Sequence, residues 1–160
     1  MKVGIGADIN GVHLKDILIE HLTSEGYEVV DYGVRDDLET IYPNVALRVC
    51  DAINEGEVDR GILICGTGLG MCITANKVNG IRAAVAEDVY SAERAILSNR
   101  AQVITMGARV IGSEVAKECA DAFLSHEFSM VGHGKASNAK VERIMEIERE
   151  QHSSQPMHIG

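Results

Sequence analysis

The stretch Gly61 to Lys77, GILICGTGLGMCITANK, constrains the fold more than any other part of the chain. The apolar run Ile62-Leu63-Ile64 ends at Cys65, glycines follow at 66, 68 and 70, and a helix-compatible segment continues to about Lys77. A short apolar run bounded by turn residues reads as a buried strand. A buried strand feeding a helix through a tight turn is the building unit of a parallel α/β sheet. The turn offers backbone N–H groups and the positive end of a helix dipole, which together suit an anion. Its G-x-G-x-G spacing departs from the G-x-G-x-x-G of a dinucleotide fingerprint, so a nucleotide-binding module is disfavoured. A tight turn with no ligand is the plain alternative.

The rest of the chain repeats the strand–helix alternation. Met1 to Asp8 reads as a strand and Val12 to Glu25 as a helix, with Leu14, Ile17, Leu18 and Leu22 on one face and Gly26 as its cap. Tyr27 to Tyr32 reads as a strand, Arg35 to Thr40 as a charged loop, and Tyr42-Pro43 as the start of a helix reaching Glu55. Beyond the central unit, Arg82 to Glu87 and Gln102 to Met106 read as strands and Tyr90 to Asn99 as a helix. Ser113 is placed to cap a helix reaching Ser125. A loop holding Gly132, His133 and Gly134 precedes a charged helix over Asn138 to Glu150. The expectation is an α/β protein, a Rossmann-like three-layer sandwich around a five-stranded parallel sheet. Residues 1–150 form one domain in this reading and 151–160 a disordered tail. In such sheets ligands sit beyond the carboxyl ends of the strands. Asp8, Cys65, Glu87 and Gly107 all fall at those ends.

Composition narrows the function classes. The chain has 160 residues, 46% of them apolar but only 4% aromatic, so its core is aliphatic. With 15 basic and 24 acidic residues its formal charge is −9. Nucleic-acid binding needs a basic field, so nucleic acid is an unfavourable partner, although a local anion site is not excluded. No apolar run approaches the ~20 residues of a membrane span, so no membrane partner is expected. Four cysteines without a leader peptide point to the reducing cytoplasm.

Cys65 stands apart from Cys50, Cys72 and Cys119, which read as structural thiols. A cysteine at a helix N-terminus is placed where a thiolate is favoured. That serves a nucleophile, a redox centre or a general base equally, while the lack of C-x-x-C disfavours thioredoxin-like exchange. Asp8 reads as a carboxylate lining the ligand edge or as a helix cap. Arg109 and Lys140 read as phosphate ligands or solvated surface charges.

In order along the chain stand Asp8 within GAD-x-x-G-x-x-LK, Tyr42-Pro43, the CGTGxG turn with Ala75-Asn76-Lys77, Gly80-Ile81-Arg82-Ala83, Tyr90-Ser91-Ala92 and Gly107 to Gly112. This series, from about Lys2 to Glu150, resembles the ribose-5-phosphate isomerase B and galactose-6-phosphate isomerase family. The resemblance implies aldose–ketose isomerisation of a sugar phosphate through a cis-enediol, without metal or other cofactor. It also implies a homodimer or dimer of dimers with active sites shared between subunits. Cys65 matches the catalytic base, and Met71 stands where another branch of the family carries a glutamate. Gly66, Gly68, Leu69 and Gly70 match the turn whose N–H groups hold the enediolate oxygen. Asp8 and Tyr42 match contacts to substrate hydroxyls, Asn99 a polar ligand supplied by the partner subunit, and Arg109 a phosphate ligand. Lys140 matches one of two C-terminal cations, and Lys135 or Ala136 falls near the other.

Two positions depart from the family pattern. Ile9 stands where a histidine commonly follows the first aspartate, and Ser98 replaces the histidine that opens a furanose ring. A serine hydroxyl does not substitute readily for imidazole acid–base chemistry. A tetrose 4-phosphate has its O4 esterified and cannot close a furanose, so it needs no ring opening. The segment Tyr90 to Gly112 also resembles the D-erythrulose 4-phosphate isomerases of erythritol catabolism. The expectation is therefore D-erythrulose 4-phosphate ⇌ D-erythrose 4-phosphate, with Cys65 as base and Thr67, Ser98 or a water relaying the hydroxyl proton. The alternatives are a pentose or hexose phosphate isomerase and, from another class, a non-catalytic sugar-phosphate-binding protein.

Overall fold

The computed structural model describes residues 1–34, 40–131 and 133–153. Five strands alternate with helices: β1 (Lys2–Ala7), α1 (Val12–Ser24), β2 (Glu28–Asp31), α2 (Tyr42–Asn54), β3 (Arg60–Cys65), α3 (Leu69–Ala75), β4 (Ala83–Val85), α4 (Val89–Leu97), β5 (Val103–Gly107), α5 (Ser113–Leu124) and α6 (His133–Ser153). The sheet order is β2-β1-β3-β5-β4 and every pairing is parallel. The expected α/β sandwich with a five-stranded parallel sheet is the observed architecture. The order reverses between β1 and β3, so a crevice opens beyond Ala7 and Cys65, the position where such sheets bind ligands.

Because a strand's side chains alternate between faces, β3 serves both cores. Ile62 and Ile64 join Val3, Ile5, Ile104, Met106 and Phe123 on the side covered by α1, α4 and α5. Leu63 and Cys65 face the other way, against Val45, Val49, Cys50, Met71 and Ala75 of α2 and α3. All six residues of β3 are buried, which explains its near-continuous apolar run.

Several boundaries differ from the sequence reading. Helix α3 stops at Ala75, because the Asn76 amide reaches across to Ala83, donating to its carbonyl (2.9 Å) and accepting its N–H (2.9 Å). Gly112, not Ser113, is the N-cap of α5, and Ser113 is its first helical residue. Helix α6 begins at His133 rather than Asn138. Gly134 lies inside its first turn, where any Cβ would collide with the Ser129 carbonyl. The glycine there serves a close backbone approach, not a loop. At its other end α6 takes in Gln151 to Ser153 of the expected tail; the remainder of that tail and residues 35–39 of the expected loop lie outside the described residues. Among the described residues no helix is long and apolar enough to cross a membrane.

Candidate active site

Cys65 ends β3 and is 5% exposed. The next three residues fold back so that the Gly68 N–H points at its sulfur, with N···Sγ 3.2 Å. The turn is fixed from below: the Thr105 hydroxyl donates to the Gly68 carbonyl (2.8 Å), and Gly68 has φ +78°, a left-handed conformation suited to glycine. A Cβ there would also sit 2.9 Å from the Met106 carbonyl carbon. Helix α3 starts at Leu69, whose N–H donates to Thr67 Oγ1 at 3.3 Å. First-turn N–H groups have no acceptor within their own helix, so those of Gly70 and Met71 are available at this end.

The carboxyl edge brings in residues from distant segments. Tyr42 opens α2 and lays its ring on Gly70, where a Cβ would stand 2.5 Å from the phenol Cζ. That contact ties the start of α2 to the start of α3. Asp8 follows β1 and accepts the Asn10 N–H (2.9 Å), so its carboxylate closes a turn ahead of α1. The N-cap of α1 is Gly11, which settles the cap alternative against Asp8. Arg109 extends over Gly66, with its Cδ, Nε and Cζ 3.7, 3.8 and 3.9 Å from the place of a Cβ there. Its backbone N–H donates to the Gly66 carbonyl (3.0 Å), and its guanidinium donates to the side-chain oxygen of Asn10 (3.0 Å). Among the described residues no carboxylate pairs with this guanidinium, which stands beside the thiol turn. Glu87 accepts the Gly107 N–H (2.8 Å), so Asp8, Cys65, Glu87 and Gly107 do share one edge. Ile9 and Leu69, 58% and 57% exposed, flank it as bare apolar side chains.

Four expected site residues lie elsewhere in this chain. Helix α4 carries the chain back from the carboxyl end of β4 to the amino end of β5, so Ser98 and Asn99 stand at the opposite edge. A five-residue strand spans roughly 16 Å, which separates them from Cys65 of the same chain. Lys135 and Lys140 are exposed on α6, whose two ends meet Ser129 and Gly80 at that same far edge; Glu148 accepts the Gly80 N–H at 2.9 Å. The sequence reading missed Asn10 as the partner of Arg109; its only signal was a turn-forming Asn-Gly pair. It also missed Arg94, which donates to Ser98 Oγ from Nε at 2.9 Å and from Nη2 at 2.5 Å. Their four-residue spacing on a helix is the signal that could have found that pair.

The other cysteines have a different character. Burial pushes the Cys50 thiol up to about 12, with Asp51 adding to it. Burial likewise raises Cys119 to about 11, helped by Asp88, Glu118 and Glu87. Cys72 is also raised by burial. All four cysteines are free.

Comparison with known proteins shows which family the chain resembles. The model of the ribose/galactose isomerase family matches residues 3–144. A D-erythrulose-4-phosphate isomerase of Pectobacterium atrosepticum is 51% identical over 90% of this chain and 93% of its own length. A ribose-5-P isomerase B of Listeria innocua is 46% identical over 93% of this chain and 98% of its own. Among solved structures, ribose-5-phosphate isomerase B of Clostridium thermocellum superposes with a TM-score of 0.87 at 42% identity, covering 94% of this chain and 99% of that one.

Proposed function

The chain belongs to the ribose/galactose isomerase family, and on that premise we propose that it interconverts D-erythrulose 4-phosphate and D-erythrose 4-phosphate. The reaction is an aldose–ketose isomerisation through a cis-enediol. The observation that carries the substrate choice is the pair Ile9 and Ser98, an alkyl chain and a hydroxyl, neither of which exchanges a proton readily near neutrality. An open-chain tetrose phosphate needs no ring-opening acid. The Pectobacterium relative, similar over nearly its whole length, carries a tetrose phosphate in its name.

In this reading the Cys65 thiolate takes the proton from the carbon beside the carbonyl. The developing enediolate oxygen is held by N–H groups of the Gly66 to Gly70 turn, each good donor of this kind being worth roughly 3–4 kcal/mol. Thr67, exposed on the turn, or a water carries the hydroxyl proton between O1 and O2. Cys65 then returns its proton to the neighbouring carbon. Asp8 and Tyr42 take substrate hydroxyls, and Arg109 takes the phosphate.

The site is completed by a second copy of the chain, as a homodimer or a dimer of dimers. Cys65 and Arg109 lie at one edge of the sheet while Ser98, Asn99, Lys135 and Lys140 lie at the other, so one site draws its two halves from two chains. Leu69 and Ile73 on α3 and Ile144 and Ile147 on α6 are exposed apolar residues suited to such an interface. Four free thiols fit a cytoplasmic enzyme of carbohydrate metabolism, and a role in erythritol catabolism follows from the substrate.

The test is turnover of erythrulose 4-phosphate and ribose 5-phosphate side by side with one enzyme preparation. The expected result is a kcat/KM roughly tenfold or more higher on the tetrose, about the worth of one charge-assisted contact. Preference for the pentose overturns the substrate assignment. Binding of both without turnover favours the non-catalytic sugar-phosphate-binding reading.

A further inference from the structure

We infer that Arg94 is a positioning residue that turns Ser98 into a fixed hydrogen-bond donor to an oxygen of the sugar phosphate. The inference rests on the reading above, in which Ser98 of one copy faces Cys65 of another. Arg94 lies in α4 and Ser98 is the residue on which that helix ends. Two N–H groups of one guanidinium, Nε and Nη2, converge on the single Ser98 Oγ. A guanidinium only donates, so both acceptor positions of the hydroxyl are taken. Its one proton must then go to an acceptor elsewhere, and among the described residues none accepts it. Ser98 is half-buried and Asn99 beside it is exposed, so the hydroxyl proton and the Asn99 amide are open to a neighbouring molecule.

The charge behind the hydroxyl decides what it can hold. Among the described residues the carboxylate paired with the Arg94 guanidinium is that of Glu93, at 3.7 Å, and it approaches Nη1, not the two nitrogens that hold Ser98. The cation therefore polarises the Ser98 O–H outward, and the favoured acceptor is an electron-rich oxygen. A sugar-phosphate hydroxylate, carbonyl or enediolate oxygen answers that description. The same contact removes the lone pair a base would need, so Ser98 cannot take a proton while Arg94 holds it. This chain thus carries a non-titrating donor where a ring-opening acid–base would otherwise act.

The test is a four-way comparison of the wild-type chain, Ser98→Ala, Arg94→Met and the double variant on erythrulose 4-phosphate, with thermal unfolding measured on each. Each single variant is expected to lose roughly tenfold in kcat/KM, as for one charge-assisted hydrogen bond. The double variant loses no more than either single one, and Arg94→Lys recovers part of the loss. Wild-type kinetics in Arg94→Met overturn the inference, as does an equal loss from Arg94→Met with and without the Ser98 hydroxyl. A loss that tracks only the fraction unfolded, with kcat and KM unchanged in the folded protein, overturns it too. If the wild-type chain turns over ribose 5-phosphate and not erythrulose 4-phosphate, the substrate reading has failed. The same four enzymes are then compared on the pentose, where non-additive losses support the role of Arg94 and additive ones refute it.

Discussion

Gly68→Ala separates the strain of one turn from its chemistry. Gly68 has φ +78°, and a non-glycine residue held in that region costs about 1–2 kcal/mol. Its new Cβ would also stand 2.9 Å from the carbonyl carbon, 3.1 Å from the Cα and 3.1 Å from the nitrogen of Met106. These are backbone atoms of β5, so the turn has to lift, and overpacking of this kind adds roughly 1–3 kcal/mol. The sum is about 3 kcal/mol, a fall of roughly 6–12 °C in Tm for a chain of this size. Lifting the turn also carries the Gly68 N–H off Cys65 Sγ and misaligns the enediolate donors, a loss of roughly a hundredfold or more in kcat. Gly26→Ala is the control: its φ is +90°, nothing lies within 4 Å of its Cβ position, and it is far from the thiol. Calorimetry and steady-state kinetics on both variants decide the matter. Equal Tm losses in the two, with wild-type kcat/KM in Gly68→Ala, would refute the reasoning.

Two further predictions concern buried ionisable groups. The raised Cys50 and Cys119 thiols, about 12 and 11 against an unperturbed 9.0, keep their protons in the fold after the unfolded chain has lost them. Their contribution is thus fully present below pH 9 and declines from there through pH 11–12, so the Tm should fall with alkaline pH. Cys50→Ala should flatten that slope, and a slope identical to the wild type's would contradict the assignment. Lys15 is fully buried, with Nζ 2.8 Å from both oxygens of Asp31 and 3.3 Å from the Val34 carbonyl. Lys15→Met keeps the packing but removes the cation, and should cost about 3 kcal/mol in a urea titration. That is the low end for a buried pair, because the Asp31 side chain retains 24% exposure. A change within about 0.5 kcal/mol, the range of an ordinary surface substitution, would show the pair to be energetically idle.

The alternation of strands and helices was legible because β3 and β5 are short, largely apolar runs and turn residues close the strands. Ile62 to Cys65 states its burial on both faces directly. The thiol turn was legible for the same local reason: a buried strand ending in Cys65 and three glycines allows few geometries. Helix α6 was not, because Gly132-His133-Gly134 reads as a loop until Ser129 is seen pressed against Gly134. Contacts across long sequence distances were also hidden. Nothing local connects Asn10 to Arg109, 99 residues apart, or Tyr42 to Gly70. The separation of Ser98 and Asn99 from Cys65 follows from topology, since a parallel strand pair obliges α4 to return the chain to the far edge. Motif order placed these residues in one family pattern, and only the fold assigns them to opposite edges.

The most direct test of Cys65 as the carbon base is deuterium uptake from D₂O into erythrulose 4-phosphate, followed by NMR at C1 and compared between the wild-type chain and Cys65→Ala. The account predicts label at C1 with the wild-type enzyme, and none with Cys65→Ala although that variant still binds the sugar phosphate. Near-normal exchange and turnover in Cys65→Ala would contradict it.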